Sequence, residues 1–318
     1  MQNLLANTYF HADDFGITAN QARDILSLSS ACNGTGALNS LSIFANSPIF
    51  PESSALLLPF SNNEEIRICL HLNLVEGPCV SEPTRIPLLV NKQGMFRRDF
   101  LGLLALNRGI HRTEARAQIA LECQNQIRKF INAFPAMREQ ICIDSHQHTH
   151  AIPLVFEALS QALAEEECLV RTLRAPLDPL TVYRTAQTQA GKAAVDEGPS
   201  EGRASVPLSN RAKVFLIDLL WKKCPINAVP WERNASKIAP LFCGVALSEA
   251  MHRFNPSLLE AFEVEAARQH RPLEILFHPV SVPLTECLDP QNKPFAQACA
   301  SSNRDGEALV LKRIPLWS

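Results

Sequence analysis

"NTYFHADDFGITANQARDIL", residues 7 to 26, joins a short β-prone run to a helical pattern through a tight polar turn. "NTYF" reads as a strand. "NQARDILSLSSAC" reads as a helix, with Asn33-Gly34 as its stop signal. A strand that hands directly to a helix is the opening unit of an α/β fold. Two adjacent carboxylates, Asp13 and Asp14, stand at the junction. Side by side they repel, and burying them unpaired is costly. Either they cap the coming helix, or they point apart into water, or a positive charge sits between them.

The same unit recurs along the chain. "ALNSLSIFAN", "IRICLHLNL", "QICID", "LVRTL", "FCGVAL" and "LEILFHP" read as strands. Thr113 to Phe134 is the clearest helix: Ile127, Phe130, Ile131 and Phe134 share one face and Pro135 closes it. "PLVFEALSQALAEEE", "RAKVFLIDLLWKKC" and "PSLLEAFEVEAARQ" are further helices. Roughly seven strands alternating with helices predict α/β architecture with a mostly parallel sheet, a barrel or part-barrel. Residues 1–318 are expected to form one barrel domain. Thr185 to Asn210 is polar and aperiodic and is expected to be a mobile loop or an insertion over the active face. Glu76 to about Asn107, rich in Pro and Gly, is expected to do the same.

Composition narrows the function. The chain has 318 residues, a net charge of -2 and a pI near 6.5. No basic stripe suggests nucleic acid, and no apolar stretch is long enough to span a membrane. The start lacks a signal-peptide pattern. The 10 cysteines are scattered without CxxC pairs, as expected of reduced, mostly buried thiols in a cytoplasmic protein.

Reactive side chains gather just after the strands: Asp13 and Asp14, His71, Asp144 with His146, His148 and His150 in "CIDSHQHTH", Arg171 and Arg174, and His278. In a β/α barrel the strand C-termini form one rim where catalytic residues meet. Each has a plainer reading. His71 could be a core histidine, "SHQHTH" a surface cluster, His278 a turn residue, and the arginines partners of surface acids. Taken together, neutral imidazoles and a carboxylate suit a divalent metal such as zinc, cobalt, nickel or iron, with positions left open for water and substrate. A metal would also make the double aspartate tolerable: one ligand, one free base.

"ADDFG", "LHLNL", "DSHQHTH" and "FHP", in this order, resemble the YdjC-like carbohydrate deacetylase family, which includes chitooligosaccharide deacetylases. The likeness runs from about residue 8 to residue 283. It implies a distorted, incomplete β/α barrel related to polysaccharide deacetylases, and metal-dependent removal of acetyl groups from N-acetylated sugars. The family's ligands for one divalent metal ion, zinc or magnesium, match Asp14, His71 and His146. By the same resemblance Asp13 is the general base and His278 the general acid. His148 and His150 would stand behind the ligands or touch the sugar. Arg171 and Arg174 would orient the base or hold substrate, and Ser40 and Asn46 would line the cleft. His11 replaces the Asn usual beside the base, and Asn39 stands where Thr is common. An N-acetylated sugar is the expected partner, with a homodimer allowed and neither nucleic acid nor membrane. The rival readings are hydrolysis of another bond such as a phosphoester, and a non-catalytic sugar- or metal-binding protein of the same fold.

Overall fold

The computed structural model describes residues 7–193, 205–233 and 239–317. Seven parallel strands form one sheet: β1 (Thr8–Phe15), β2 (Ser40–Phe44), β3 (Arg67–Leu72), β4 (Ile141–Ser145), β5 (Val170–Leu173), β6 (Leu241–Cys243) and β7 (Leu273–Phe277). Their order is β5-β4-β3-β2-β1-β7-β6, so β1 is central and β5 and β6 are edges. The sheet curls into a half-barrel, the second of the two forms, barrel or part-barrel, that the strand–helix alternation allowed. Helices α1 (Ala19–Leu26), α2 (Phe50–Leu57), α3 (Phe100–Leu106), α4 (Arg112–Ala133), α5 (Pro153–Glu165), α6 (Leu180–Ala193), α7 (Leu208–Trp221), α8 (Pro256–Arg268), α9 (Lys293–Cys299) and α10 (Ser302–Arg313) accompany it. Among the described residues no helix is long and apolar enough to cross a membrane.

The strand sequences explain the curl's two faces. Side chains alternate across a strand, and here polar and apolar residues alternate too. Phe10 and Ala12, Leu41 and Ile43, Ile68 and Leu70, and Ile143 join the apolar core. Their neighbours His11 and Asp13, Ser40 and Ser42, Arg67 and His71, and Asp144 turn to the inner side, where they bond one another. Barrel interiors are more often filled by branched apolar side chains. This one is filled by charges and hydroxyls, and that polar column leads up to the rim.

The stretch expected to be a loop over 185–210 is partly helical. α6 continues to Ala193 because Val182, Tyr183 and Ala186 recur at helical spacing and bury one face. α7 begins at Leu208, and residues 194–204 lie outside the described residues. The segment expected to be a loop from Glu76 to about Asn107 is irregular as far as α3 and firmly tied down. Gln118, Glu122 and Gln126, one turn apart on α4, accept from the backbone N–H groups of Leu88, of Val80 and Ser81, and of Asn73.

After β5 the chain is fixed by a buried carboxyl. Asp178 Oδ2 accepts from Gly244 N at 3.0 Å, Ala246 N at 2.8 Å and the Tyr183 hydroxyl at 3.1 Å. Burial outweighs these bonds and pushes its pKa up to about 6. The folded protein therefore keeps this proton across a window, from the usual carboxylate range to about 6, in which the unfolded chain has lost it. Stability contributed by Asp178 is thus present at low pH and declines as pH rises through that window. Asp178→Asn is expected to remove a decline on the order of 2–3 kcal/mol, measurable by urea denaturation at a series of pH values.

Candidate metal and catalytic site

The double aspartate is accommodated by a break in β1. A regular strand would send Asp13 and Asp14 to opposite faces. Instead the pairing with β2 shifts register between Ala12 and Phe15, and Asp14 adopts φ 63°. Aspartate tolerates this left-handed conformation better than most residues. The turn is then clamped from α1: Gln21 Nε2 donates to the Asp14 carbonyl at 2.8 Å, and its Oε1 accepts from Gly16 and Ile17 N–H. Gly16, at φ 90°, leaves room that a Cβ would lose, 2.8 Å from Ser53 Oγ. Both carboxylates consequently face the cleft.

Three atoms converge there. Asp14 Oδ1 lies 3.0 Å from His146 Nδ1 and 3.4 Å from His71 Nε2, and the two nitrogens are 3.3 Å apart. Ligand atoms about 2.1 Å from a tetrahedral zinc stand roughly 3.4 Å from one another. Asp14 Oδ1 is buried without a well-formed hydrogen bond. The far nitrogen of each imidazole meets a carboxylate: His71 Nδ1 faces Asp144 Oδ1 at 2.5 Å, and His146 Nε2 faces Glu76 Oε2 at 2.7 Å. Those contacts favour a proton on the far nitrogen, which leaves a lone pair on the near one. The donor set therefore fits one divalent cation. Burial alone would push both imidazoles down. Asp13 and Asp144 instead raise His71 to about 9, and Glu76 and Asp14 raise His146 to about 10.

Asp13 sits beside this cradle. Arg174 Nη1 and Nη2 each reach its carboxylate at 2.9 Å, and Ser42 Oγ donates at 3.0 Å. Arg174 also meets Asp144 at 3.0 Å and Glu274 at 2.6 Å. His11 Nε2 lies 3.0 Å from Asp13 and 3.1 Å from Asp144. Burial would raise the Asp13 pKa, yet Arg174, His71 and His11 hold it well below the usual range. Across the cleft, His278 Nε2 is 4.0 Å from Asp13 Oδ2, and its side chain is 32% exposed. Burial draws it down to about 4, against the pull of Asp14 and Asp13.

The rim thus brings Asp13, Asp14, His71, His146, Arg174 and His278 together. Other expected residues take different places. His148 stands in a left-handed turn against Phe242, its Nδ1 unpartnered. His150 uses both ring nitrogens internally, on Ser145 Oγ and the Arg174 carbonyl, so it fixes Arg174 in place. Ser40 lies below the rim, bonded to His11 and Arg67. Asn46 donates to the Glu76 and Pro78 carbonyls and pins the loop that carries Glu76. Arg171 does not join the site. It enters near the start of β5, three residues before Arg174, and bonds Gln140 at the opposite end of the strands.

Ser42, Glu76, Glu274, Arg304 and Glu307 went unrecognised in the sequence; Ser42 and Glu274 flank Asp13 and Arg174. Glu76 holds His146. Arg304 on α10 meets Asp14 Oδ2 at 2.6 Å, and Glu307 accepts from His278 N–H at 2.5 Å. Glu76 stands only two residues after "LHLNL", which is a usable signal. Arg304 and Glu307 sit in "SNRDGEA", a polar stretch that offers none.

This is a histidine–carboxylate cradle on the C-terminal rim of an incomplete parallel β/α barrel. Residues 8–313 match the YdjC-like protein family, and the chain belongs to it. A carbohydrate deacetylase of Danio rerio is 26% identical over 168 residues, 52% of this chain and 49% of that protein. Carbohydrate deacetylases of Thermoanaerobacter pseudethanolicus and Xenopus laevis are each 29% identical, over 181 and 174 residues. These cover 56% and 54% of this chain, and 62% and 51% of those proteins. The alignments thus span about half to three-fifths of the relatives' own lengths. A crystal structure from Enterococcus faecalis V583, provisionally assigned as a cellobiose-phosphate cleavage protein, shares the fold. It has a TM-score of 0.56 at 14% identity, covering 97% of this chain and 91% of that one.

Two outcomes follow from the geometry. Glu76→Ala frees His146 Nε2 and is expected to weaken zinc binding roughly 10–100-fold, read by competition with a chromogenic chelator. Arg174→Met leaves Asp13, Asp144 and Glu274 without their shared cation and is expected to destabilise the fold by about 3–5 kcal/mol, read by urea denaturation.

Proposed function

We propose that this protein is a metal-dependent hydrolase that removes acetyl groups from N-acetylated sugars. The observation that carries the reading is the convergence of Asp14 Oδ1, His71 Nε2 and His146 Nδ1 beside an ionised Asp13 and an open-edged His278. Kinship with carbohydrate deacetylases supplies the substrate class. Asp14, His71 and His146 would hold the cation. Two imidazoles with one carboxylate suit zinc better than magnesium, which prefers oxygen donors. When bound, the cation would polarise the acetamide carbonyl and acidify water.

The chain's own groups do the rest. Asp13 stays ionised under Arg174, with Ser42 and His11 fixing its direction, and accepts the proton of the attacking water. His278 is neutral at rest. Its proximity to Asp13 lets it take up that proton and pass it to the departing sugar amine. Glu307 holds the His278 backbone, so the ring keeps its place across the cleft. Products are acetate and a free amino sugar.

Metal-stripped protein supplied in turn with zinc, cobalt, nickel or magnesium is expected to release acetate from N,N′-diacetylchitobiose only when a metal is added. Asp13→Asn is expected to retain the metal and lose at least roughly 100-fold in kcat. His146→Ala is expected to lose the metal. A fully active Asp13→Asn would overturn the base assignment. Folded, metal-loaded protein that releases no acetate from any N-acetyl sugar would overturn the reaction.

A further inference from the structure

The polar column inside the barrel has a second end. At the N-terminal ends of the strands, away from the metal cradle, lies a cavity of about 220 Å³. Tyr9, Arg67, Cys142, Arg171 and Thr172 are among its walls. Cys142 is on β4 and Cys69 on β3. The two strands pair with Leu70 opposite Ile143 and His71 opposite Asp144, which puts Cys69 opposite Cys142 one step back. Cys69 shares its face of β3 with Arg67 and His71, and Cys142 shares its face of β4 with Asp144, so both thiols turn to the inner side of the sheet; Cys142 Sγ also lies 3.9 Å from the Gln140 carbonyl. Neighbouring strands run about 4.8 Å apart, within the Cα separation of roughly 4.4–6.8 Å that a disulfide spans.

Cys142 also differs from every other thiol of the chain. Burial pushes the rest up. For Cys142 the neighbouring Cys69, with Arg67 and Arg171, outweighs burial and brings it down to about 6. The charged and titratable groups around it are Arg67 and Cys69 from β3, Arg171 from β5, Tyr9 from β1, and Glu64 on the cavity wall. A thiolate beside guanidinium groups, open to a small cavity, is the environment of a reactive cysteine.

We propose that Cys142 and Cys69 are a peroxide-oxidisable pair, a modification site at the end of the barrel opposite the metal cradle. The inference does not rest on the deacetylase reading. The Cys142 thiolate attacks one oxygen of hydrogen peroxide. The O–O bond breaks, hydroxide leaves and takes up a proton as water, and Cys142 becomes a sulfenic acid. Cys69 sulfur then attacks the Cys142 sulfur. The S–S bond forms, the S–O bond breaks, and the departing hydroxide takes the Cys69 proton as a second water. Two thiols lose two electrons together and one peroxide gains them.

The test is peroxide treatment of the full-length protein, alkylation of remaining thiols, and non-reducing peptide mapping. The expected product is a Cys69–Cys142 disulfide that dithiothreitol reverses. In Cys69→Ser the reaction is expected to stop at a Cys142 sulfenic acid that dimedone captures. Site-resolved iodoacetamide labelling of untreated wild-type protein is expected to rise at Cys142 with a midpoint near pH 6, roughly two or more pH units before the other thiols. The proposal is overturned if folded wild-type protein keeps both residues as thiols while other cysteines oxidise. It is equally overturned if Cys142 labels with an ordinary thiol profile. Neither wild-type measurement depends on a variant folding.

Discussion

Arg174 is the interaction on which the interior depends. One guanidinium, projected from just beyond edge strand β5, meets Asp13 on β1, Asp144 on β4 and Glu274 on β7. Three carboxylates gathered out of water repel strongly unless a cation is shared among them. Arg67 approaches Glu274 from β3 and relieves part of the excess. His150 accounts for the direction of Arg174 by taking hold of its carbonyl. A residue that reads as a possible sugar contact is therefore a support for the arginine beneath the base.

Charge balance also gives the two aspartates distinct characters. Asp13 is enclosed by Arg174, Ser42 and His11, so its charge and its direction are fixed. Asp14 meets Arg304 with one oxygen and leaves the other for the histidines. The difference arises from a single backbone event, the left-handed turn at Asp14. Adjacent identical residues thereby enter different electrostatic settings, which is the requirement for one to bind and the other to act as base.

Much of this could be read in the sequence because strand ends are chemically marked. "ADDF", "LHL" and "DSHQH" each place polar groups where an apolar run stops, and the parallel barrel brings such ends together. The alternation in "SLSIF" and "RICLHL" matches the polar inner face of the sheet. What escaped reading depended on contacts far apart in the chain. Asp14 and Arg304 are separated by 290 positions, and no local pattern in α10 announces a buried arginine. Arg171 and Arg174 look equivalent in "VRTLRAP", yet three residues along a strand carry them to opposite ends of the barrel. The helix through Ala193 was hidden because only Val182, Tyr183 and Ala186 register its period.

The sheet's order leaves β5 and β6 as edges, and among the described residues no backbone ladder joins them. Across that seam the Arg174–Glu274 contact ties the region of β5 to β7, the neighbour of β6. Apart from a single bridge, in which Val170 on β5 bonds Pro230 and Glu232 through the main chain, the seam is laced by side chains where other barrels are welded by main-chain bonds. Local opening should begin along this line, so amide exchange in β5 and β6 should outpace that in β1 and β2. Water admitted there would arrive at the underside of Asp13, and the residues that poise the base would also set how readily the barrel breathes.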